Sequence, residues 1–327
     1  MKTMNTTLRI SLAAVALAVF CPMLALAQIP ARFYWKGLAG ANAVPILYQD
    51  FNGNSNPFDP SDAVSPETLI DAQVVSVGAA KMLPLFDRTA TIALLGTMGR
   101  LSSAIEAGGE TASESARGYG DPMLEFGVNV IGPSAIMNIP DMIRYEPKFS
   151  LDLIADLYFP VGEYDNERAL NIGQNRWYGR VGAPIVWQFG AWVPGQRTTL
   201  EALPSLWMYG DNTDFVGKTL STDPTFQLET HLTRDLTRSL WASLDATWKT
   251  GGASTVGDGE EGDPVDILGV GYTLGYQVND NLAFTFGYMS TVNDSDPGDL
   301  QTDVFRICVT YGWHKLVEGQ KRLQEAQ

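Results

Sequence analysis

Chemistry in a protein starts with nucleophiles, bases and metal ligands, and this 327-residue chain holds few of them: its only histidines are His231 and His314. His231 falls in Gln227-Leu-Glu229-Thr-His231, where an extended backbone puts the three polar residues on one wall. Covalent catalysis would need a nucleophile and an orienting group in reach, and no Gly-x-Ser-x-Gly elbow is present. His231 is therefore expected to line a polar wall, and Cys308 to be a small residue on the same kind of wall. The acidic stretches Asp294-Ser-Asp296-Pro-Gly-Asp299 and Asp258-Gly-Glu-Glu-Gly-Asp263 lack the EF-hand spacing, so solvated loops are expected rather than a metal site. Gly269-x-Gly271 lies within a strand-like run with no helix after it, which excludes a dinucleotide cradle. The expectation is no enzyme, no metal and no cofactor. A formal charge of −15 also argues against nucleic acid as a partner.

The elements that would position these residues are strands. Residues 1–27 have the form of a cleaved signal peptide: Lys2 and Arg9, an apolar run from Ile10 to Phe20, and Ala25-Leu26-Ala27 before a mature Gln28. Residues 28–42 are a lead-in carrying Phe33, Tyr34 and Trp35, suited to a plug or an interface anchor. Twelve strand-like segments follow, near 43–52, 70–84, 88–101, 121–132, 148–160, 175–190, 197–210, 224–234, 237–250, 265–278, 280–291 and 302–313. In one of them Phe149, Leu151, Leu153, Ala155, Leu157 and Phe159 alternate with Ser150, Asp152, Ile154, Asp156 and Tyr158. The first three segments alternate least clearly. Short connections alternate with long Gly-, Asp-, Asn- and Pro-rich ones, except that 133–147 is long where a short turn is due. Residues 314–327 are expected as a polar periplasmic tail.

Alternation alone leaves open which wall meets which solvent. Three features favour lipid outside: strands of about ten residues against a globular mode of five or six, aromatics at both ends of the apolar rows, and an even count that permits closure. The expected fold is all-β, a transmembrane antiparallel up-and-down β-barrel of about 12 strands over 43–313. Charges do not belong on the lipid wall, so Glu125, Asp152, Asp156, Arg180, Glu201, Glu229, Asp245, Lys249 and Arg306 are expected to line the lumen. There they would brace the barrel or touch a permeant.

Several motifs sharpen this reading: Gly118-Tyr-Gly-Asp-Pro122, Phe159-Pro-Val-Gly162-Glu-Tyr164-Asp165, Asn171-Ile-Gly173-Gln-Asn175-Arg-Trp177, and Tyr209-Gly-Asp-Asn-Thr-Asp-Phe215. Together with Leu240-Trp-Ala-Ser-Leu-Asp245 and Gly251-Gly252, they resemble the MetA-pathway of phenol degradation family from about residue 117 to 313. The resemblance implies an outer-membrane transporter of a Gram-negative bacterium, linked with uptake of aromatic or other hydrophobic compounds. It singles out Gly162, Tyr164, Asp165, Asn171, Gly173, Asn175 and Trp177 as a loop signature at the extracellular mouth. The expected function is a monomeric channel for passive passage of small hydrophobic or aromatic molecules; the alternative is a structural or adhesive barrel with a closed lumen. Expected partners are outer-membrane lipid and lipopolysaccharide, a small-molecule permeant, and the barrel-assembly machinery during biogenesis.

Overall fold

A computed structural model describes residues 29–64, 68–107, 110–294 and 299–325. The expected signal peptide lies outside the described residues. Seventeen strands form among the described residues: β1 Asn42–Gly53, β2 Thr68–Leu85, β3 Arg88–Ala107, β4 Glu110–Tyr119, β5 Met123–Ile131, β6 Phe149–Tyr158, β7 Tyr178–Gly182, β8 Ile185–Phe189, β9 Thr198–Tyr209, β10 Asn212–Phe215, β11 Lys218–Thr222, β12 Thr225–Asp235, β13 Leu240–Gly251, β14 Ser254–Val256, β15 Val265–Gln277, β16 Leu282–Thr291 and β17 Thr302–Trp313. The described residues also form two helices, α1 Ile139–Arg144 between β5 and β6 and α2 Lys315–Glu325 after β17.

The wall of the barrel is a twelve-stranded antiparallel meander. β4 and β5 act as one broken strand, because both pair with β3. β7 and β8 act as another, both pairing with β6 and β9. The break falls at Ala183-Pro184, where proline has no N–H to donate. The flanking ladder survives through Ala183 N–H to Pro204 O (3.0 Å) and Asp152 N–H to the Pro184 carbonyl (2.8 Å). Closure comes from β1 against β17, in register from Asn42↔Trp313 to Gly53↔Thr302. A closed sheet leaves no edge to satisfy in lipid, which is the condition for strands to span a bilayer.

The two walls divide as their alternation predicts. Phe149, Leu153, Leu157, Trp177, Trp187 and Tyr311 are each 42–52% exposed and point outward. Phe159 and Trp177 meet at 5.3 Å, and Trp187 and Phe189 at 5.5 Å, as rims of an aromatic girdle. All nine charges expected inside are buried.

Some segments differ from expectation. Residues 102–120, expected as a loop, continue β3 and return as β4, so this hairpin extends the wall. The long connections 211–223 and 251–264 contribute a small sheet of order β10-β11-β14. The long connection at 133–147 contains α1, with Asn138 accepting from the Asp141 N–H at 2.9 Å. Leu38 forms a parallel bridge with Ile136 and packs with Met142 and Tyr145. The extra length thus closes one end of the barrel. The tail is helical as α2, and Lys321 ties it to Asp280 (2.9 Å) and Asn281 (3.0 Å).

Candidate functional site

The candidate site is the barrel interior, and hydrogen-bond register builds it. Because β5, β6 and β7 are neighbours, Glu125, Asp156 and Arg180 fall in one cross-strand row. Arg180 donates from Nε to Asp156 (2.7 Å) and from Nη1 to Glu229 (3.1 Å), and its guanidinium lies 5.1 Å from the Trp207 ring centroid. A single arginine thus holds two buried acids, the arrangement that makes such charges tolerable away from water. A second row runs Glu201, His231, Asp245, Gly271 across β9, β12, β13 and β15. His231 Nδ1 lies 2.8 Å from Asp245 Oδ1, and the Ser243 and Thr273 hydroxyls donate to the same carboxylate at 2.5 Å. Serine and histidine converge on the acid and not on each other. The geometry is a brace, not a nucleophile–base pair.

The interior is filled from one end by the lead-in. The Ile29 N–H donates to Glu229 (2.5 Å), the Arg32 N–H to Glu201 (2.7 Å) and the Trp35 indole N–H to Glu201 (2.8 Å). Arg32 Nη1 donates to Asp235 (2.6 Å), which also accepts from Arg197 Nε (2.8 Å). Lys36 pairs with Asp152, and Asn129 donates to the same carboxylate at 2.7 Å. On its other side Ile29 and Phe33 pack against Ala43, Ala80, Met82, Ala93, Ile154 and Leu203. Of the two roles the sequence allowed, the lead-in takes the plug: its aromatic residues lie inside the barrel. Gly275 makes room for it, because a Cβ there would fall 2.0 Å from the Trp241 ring, which Arg32 approaches to 4.5 Å.

Loops fill the other end. Lys249 pairs with Asp62 of the 54–64 loop and donates to the Pro60 carbonyl at 2.5 Å. Burial pushes the Asp62 carboxyl up to about 6, against the pull of the Lys249 ammonium. The signature loop 159–177 is held by Asp121, which accepts the Gly162 N–H (2.7 Å) and the Gln174 N–H (2.9 Å). Asn171 closes a turn by accepting the Asp165 N–H and donating to the Asp165 and Arg168 carbonyls. Asn212 donates to the Tyr164 hydroxyl at 2.8 Å and accepts from Asn175 at 2.9 Å. Leu170 and Ile172 then reach into an apolar cluster with Phe51, Phe58, Ile70, Val74, Leu101 and Val304.

Two glycines set the shape of this loop. A Cβ on Gly173 would fall 2.5 Å from the Gly162 carbonyl carbon, and one on Gly162 would fall 2.7 Å from Gly173 Cα. Backbone cannot yield as a side chain can, so Gly173→Ala is expected to lift the loop, at a cost of about 1–3 kcal/mol. Limited proteolysis of intact cells checks this: cleavage within 159–177 should accelerate in the variant, and an unchanged rate would refute the close packing.

Each sequence-selected residue has now a place. Glu201, Glu229 and Asp152 bind the plug, Lys249 binds the 54–64 loop, Asp156 and Arg180 bind each other, and Asp245 binds His231. Glu125 lies beside Asp156 in its row. Arg306 is buried against Gly287, whose missing Cβ leaves it space. In the loop signature six residues shape the loop, while Trp177 faces outward as part of the girdle. Sequence reasoning passed over Asp235, Arg197 and Asp62, which lie at strand ends or in a loop where alternation gives no facing, and it gave no separate role to Asp121 and Arg176, which stand within the signature motifs; Arg176 pairs with Asp59 at 3.0 Å. It also passed over an apolar inner wall. Ala43, Leu47 and Phe51 of β1, Ile70, Val74 and Met82 of β2, and Leu95 and Leu101 of β3 are all buried.

Comparison with known proteins is consistent with this geometry. The family profile described as MetA-pathway of phenol degradation matches residues 71–305. No curated protein matches in sequence. Among solved structures, an outer membrane channel from Pseudomonas putida F1 superposes with a TM-score of 0.68 at 16% identity, over 87% of this chain and 99% of that one. At that identity the likeness is one of fold. The transport unit of the autotransporter AIDA-I from Escherichia coli (TM-score 0.45, 8% identity, 83% and 90% covered) is more distant. So is a FadL homologue from Pseudomonas aeruginosa (TM-score 0.42, 11% identity, 84% and 91% covered).

Proposed function

We propose, for a chain that belongs to the MetA-pathway of phenol degradation family, passive passage of small hydrophobic or aromatic molecules across the outer membrane. The observation that carries the reading is the two-sided interior. Strands β5 to β13 present charges, whereas β1, β2 and β3 present a largely apolar wall from Phe51, Ile70 and Leu101 at one end to Ala43 and Met82 at the other, crossed midway by the buried but uncharged Gln49, Ser76 and Thr97. A water-filled pore is lined with polar groups; an apolar strip beside a braced charged wall suits a permeant that sheds its water. The permeant would replace Phe58, Leu170 and Ile172 at the outer end and Phe33 at the inner end, because these side chains cover the strip in the closed state. The nine interior charges hold the plug and the wall in register, and the loop signature shapes the outer mouth. Removal of residues 1–27 during export would leave the lead-in free to enter the barrel as the wall closes.

The test is permeation into proteoliposomes. Phenol-sized aromatic solutes should pass faster than sugars of similar mass, and Val74→Asp should reduce the aromatic rate severalfold while leaving the sugar rate unchanged. The filled interior also favours the closed structural barrel. Folded protein that passes neither solute would select that reading over the channel.

A further inference from the structure

A charged concavity on the outer face of the wall has no part in the interior. β1 to β4 carry, on their outward rows, Asp50, Gln73, Arg100 and Arg117, and these line a groove of about 860 Å³ with Glu163 and Arg168 of the signature loop. Arg100 and Arg117 are direct register partners across β3 and β4, and both are exposed. Like charges facing one another across a ladder destabilise it unless an anion lies between them. Three acids also line the groove: Glu163 lies against Gly118, and the other two have partners of their own. Asp71 accepts from Asn52 at 2.5 Å, and Asp50 accepts from the Tyr48 hydroxyl at 3.4 Å. Arg100 Nε donates to Gln73 at 3.1 Å, leaving its terminal nitrogens for another acceptor. The Arg117 side chain makes no hydrogen bond or ion pair among the described residues. Arg168 reaches in from the loop, donating to the Ser115 carbonyl at 3.2 Å, and its exposed Nε pairs with Asp165 at 3.1 Å, leaving one terminal nitrogen toward the groove.

Height relative to the bilayer identifies the ligand class. The next outward pair toward the membrane is Met98 and Tyr119, 55% and 58% exposed, followed by Leu94 at 56%. Two residues along a strand rise roughly 7 Å, so the arginines stand one step beyond the apolar and aromatic rim, at the depth of lipid headgroups. Paired guanidinium forks match the oxygens of a phosphate.

Resting on the outer-membrane reading above, we propose that this groove binds a phosphorylated sugar headgroup of the outer leaflet's anionic glycolipid, lipid A, through Arg100, Arg117 and Arg168. The glycolipid is favoured over a phospholipid because the groove's volume of about 860 Å³ can take a sugar headgroup and its lining includes Gln73, Ser102 and Ser115 as partners for sugar hydroxyls.

The experiment uses the full mature protein, purified in mild detergent from outer membranes, with co-purifying lipid measured by mass spectrometry. Wild-type protein should retain phosphorylated lipid A, and the Arg100→Gln/Arg117→Gln variant roughly tenfold less, as loss of a charge-assisted contact predicts. Lys81→Gln, on the outward row of β2 at the opposite rim, should retain as much as wild type. Should the glutamine variant fail to fold, Arg117→Lys keeps the charge without the fork and should retain an intermediate amount. In reconstitution, bisphosphorylated lipid A should bind and its dephosphorylated form should not. Equal retention by the arginine variant, equal binding of dephosphorylated lipid A, or equal competition by phosphatidylglycerol or inorganic phosphate would overturn the proposal. Fractionation and the heat-dependent gel shift report separately on the parent reading: a folded outer-membrane barrel that retains lipid regardless of the arginines refutes only the groove.

Discussion

Deleting residues 29–40, so that Gln28 joins Ala41, is expected to raise single-channel conductance in planar bilayers roughly fivefold or more, since a twelve-stranded barrel is wide enough to leave a path once unplugged. The physical reason is that the lead-in lies inside the wall and meets its buried acids directly. It satisfies Glu229, Glu201, Asp235 and Asp152 from the chain's own donors. Without it these carboxylates face a hydrated space, so the opened pore should also favour cations. The reversal potential in a salt gradient measures that preference. Conductance that stays at the wild-type level would mean that the 54–64 and 159–177 loops form the barrier. In that case Lys249→Met, which frees Asp62, should be the variant that opens the barrel. The deletion should leave the wall intact, because β1 begins at Asn42 and its pairing with β17 lies beyond the cut.

Arg180→Met carries the second large effect. Its guanidinium is the shared partner of Asp156 and Glu229, all three side chains being at most 4% exposed. Removing one member of a buried ionic group strands the others, a cost of about 3–5 kcal/mol. The midpoint of the heat-dependent gel shift should therefore fall markedly, and plug retention should weaken with it, because Glu229 also holds the Ile29 N–H. Adding Asp156→Asn and Glu229→Gln removes the stranded charges and should recover most of the loss. A triple variant no more stable than Arg180→Met would show that packing against Trp207, not charge balance, is what Arg180 provides.

How much of this was legible in the sequence follows from the range over which each signal acts. Side-chain alternation is a two-residue property of a single strand, so the rows Phe149 to Phe159 and Ser150 to Tyr158 could be sorted into walls without knowing any neighbour. That local rule placed all nine charges inside and sent Trp187 and Tyr311 outward. It weakened on β1, β2 and β3, because there both walls carry apolar residues: Val77, Ile92 and Leu94 face outward while Val74, Ala80, Ala93 and Leu95 face inward, so the contrast shrinks. The 102–120 hairpin was missed for the opposite reason, since beyond the bilayer both of its faces are polar.

By itself, then, the sequence determined the class of fold, the twelve-strand meander, the lipid and lumen walls and the absence of a recognisable catalytic motif. Only the tertiary structure decided which charges meet, because partners such as Arg180 and Glu229 lie 49 residues apart and are joined by barrel closure and register, not by spacing. It also decided that Phe33 and Trp35 fill the lumen: an aromatic run suits an interface as well as a core, and the choice falls to the cavity that eleven other strands and β1 enclose. The same holds for Arg100 and Arg117, seventeen residues apart and separated by a hairpin, which register alone sets face to face.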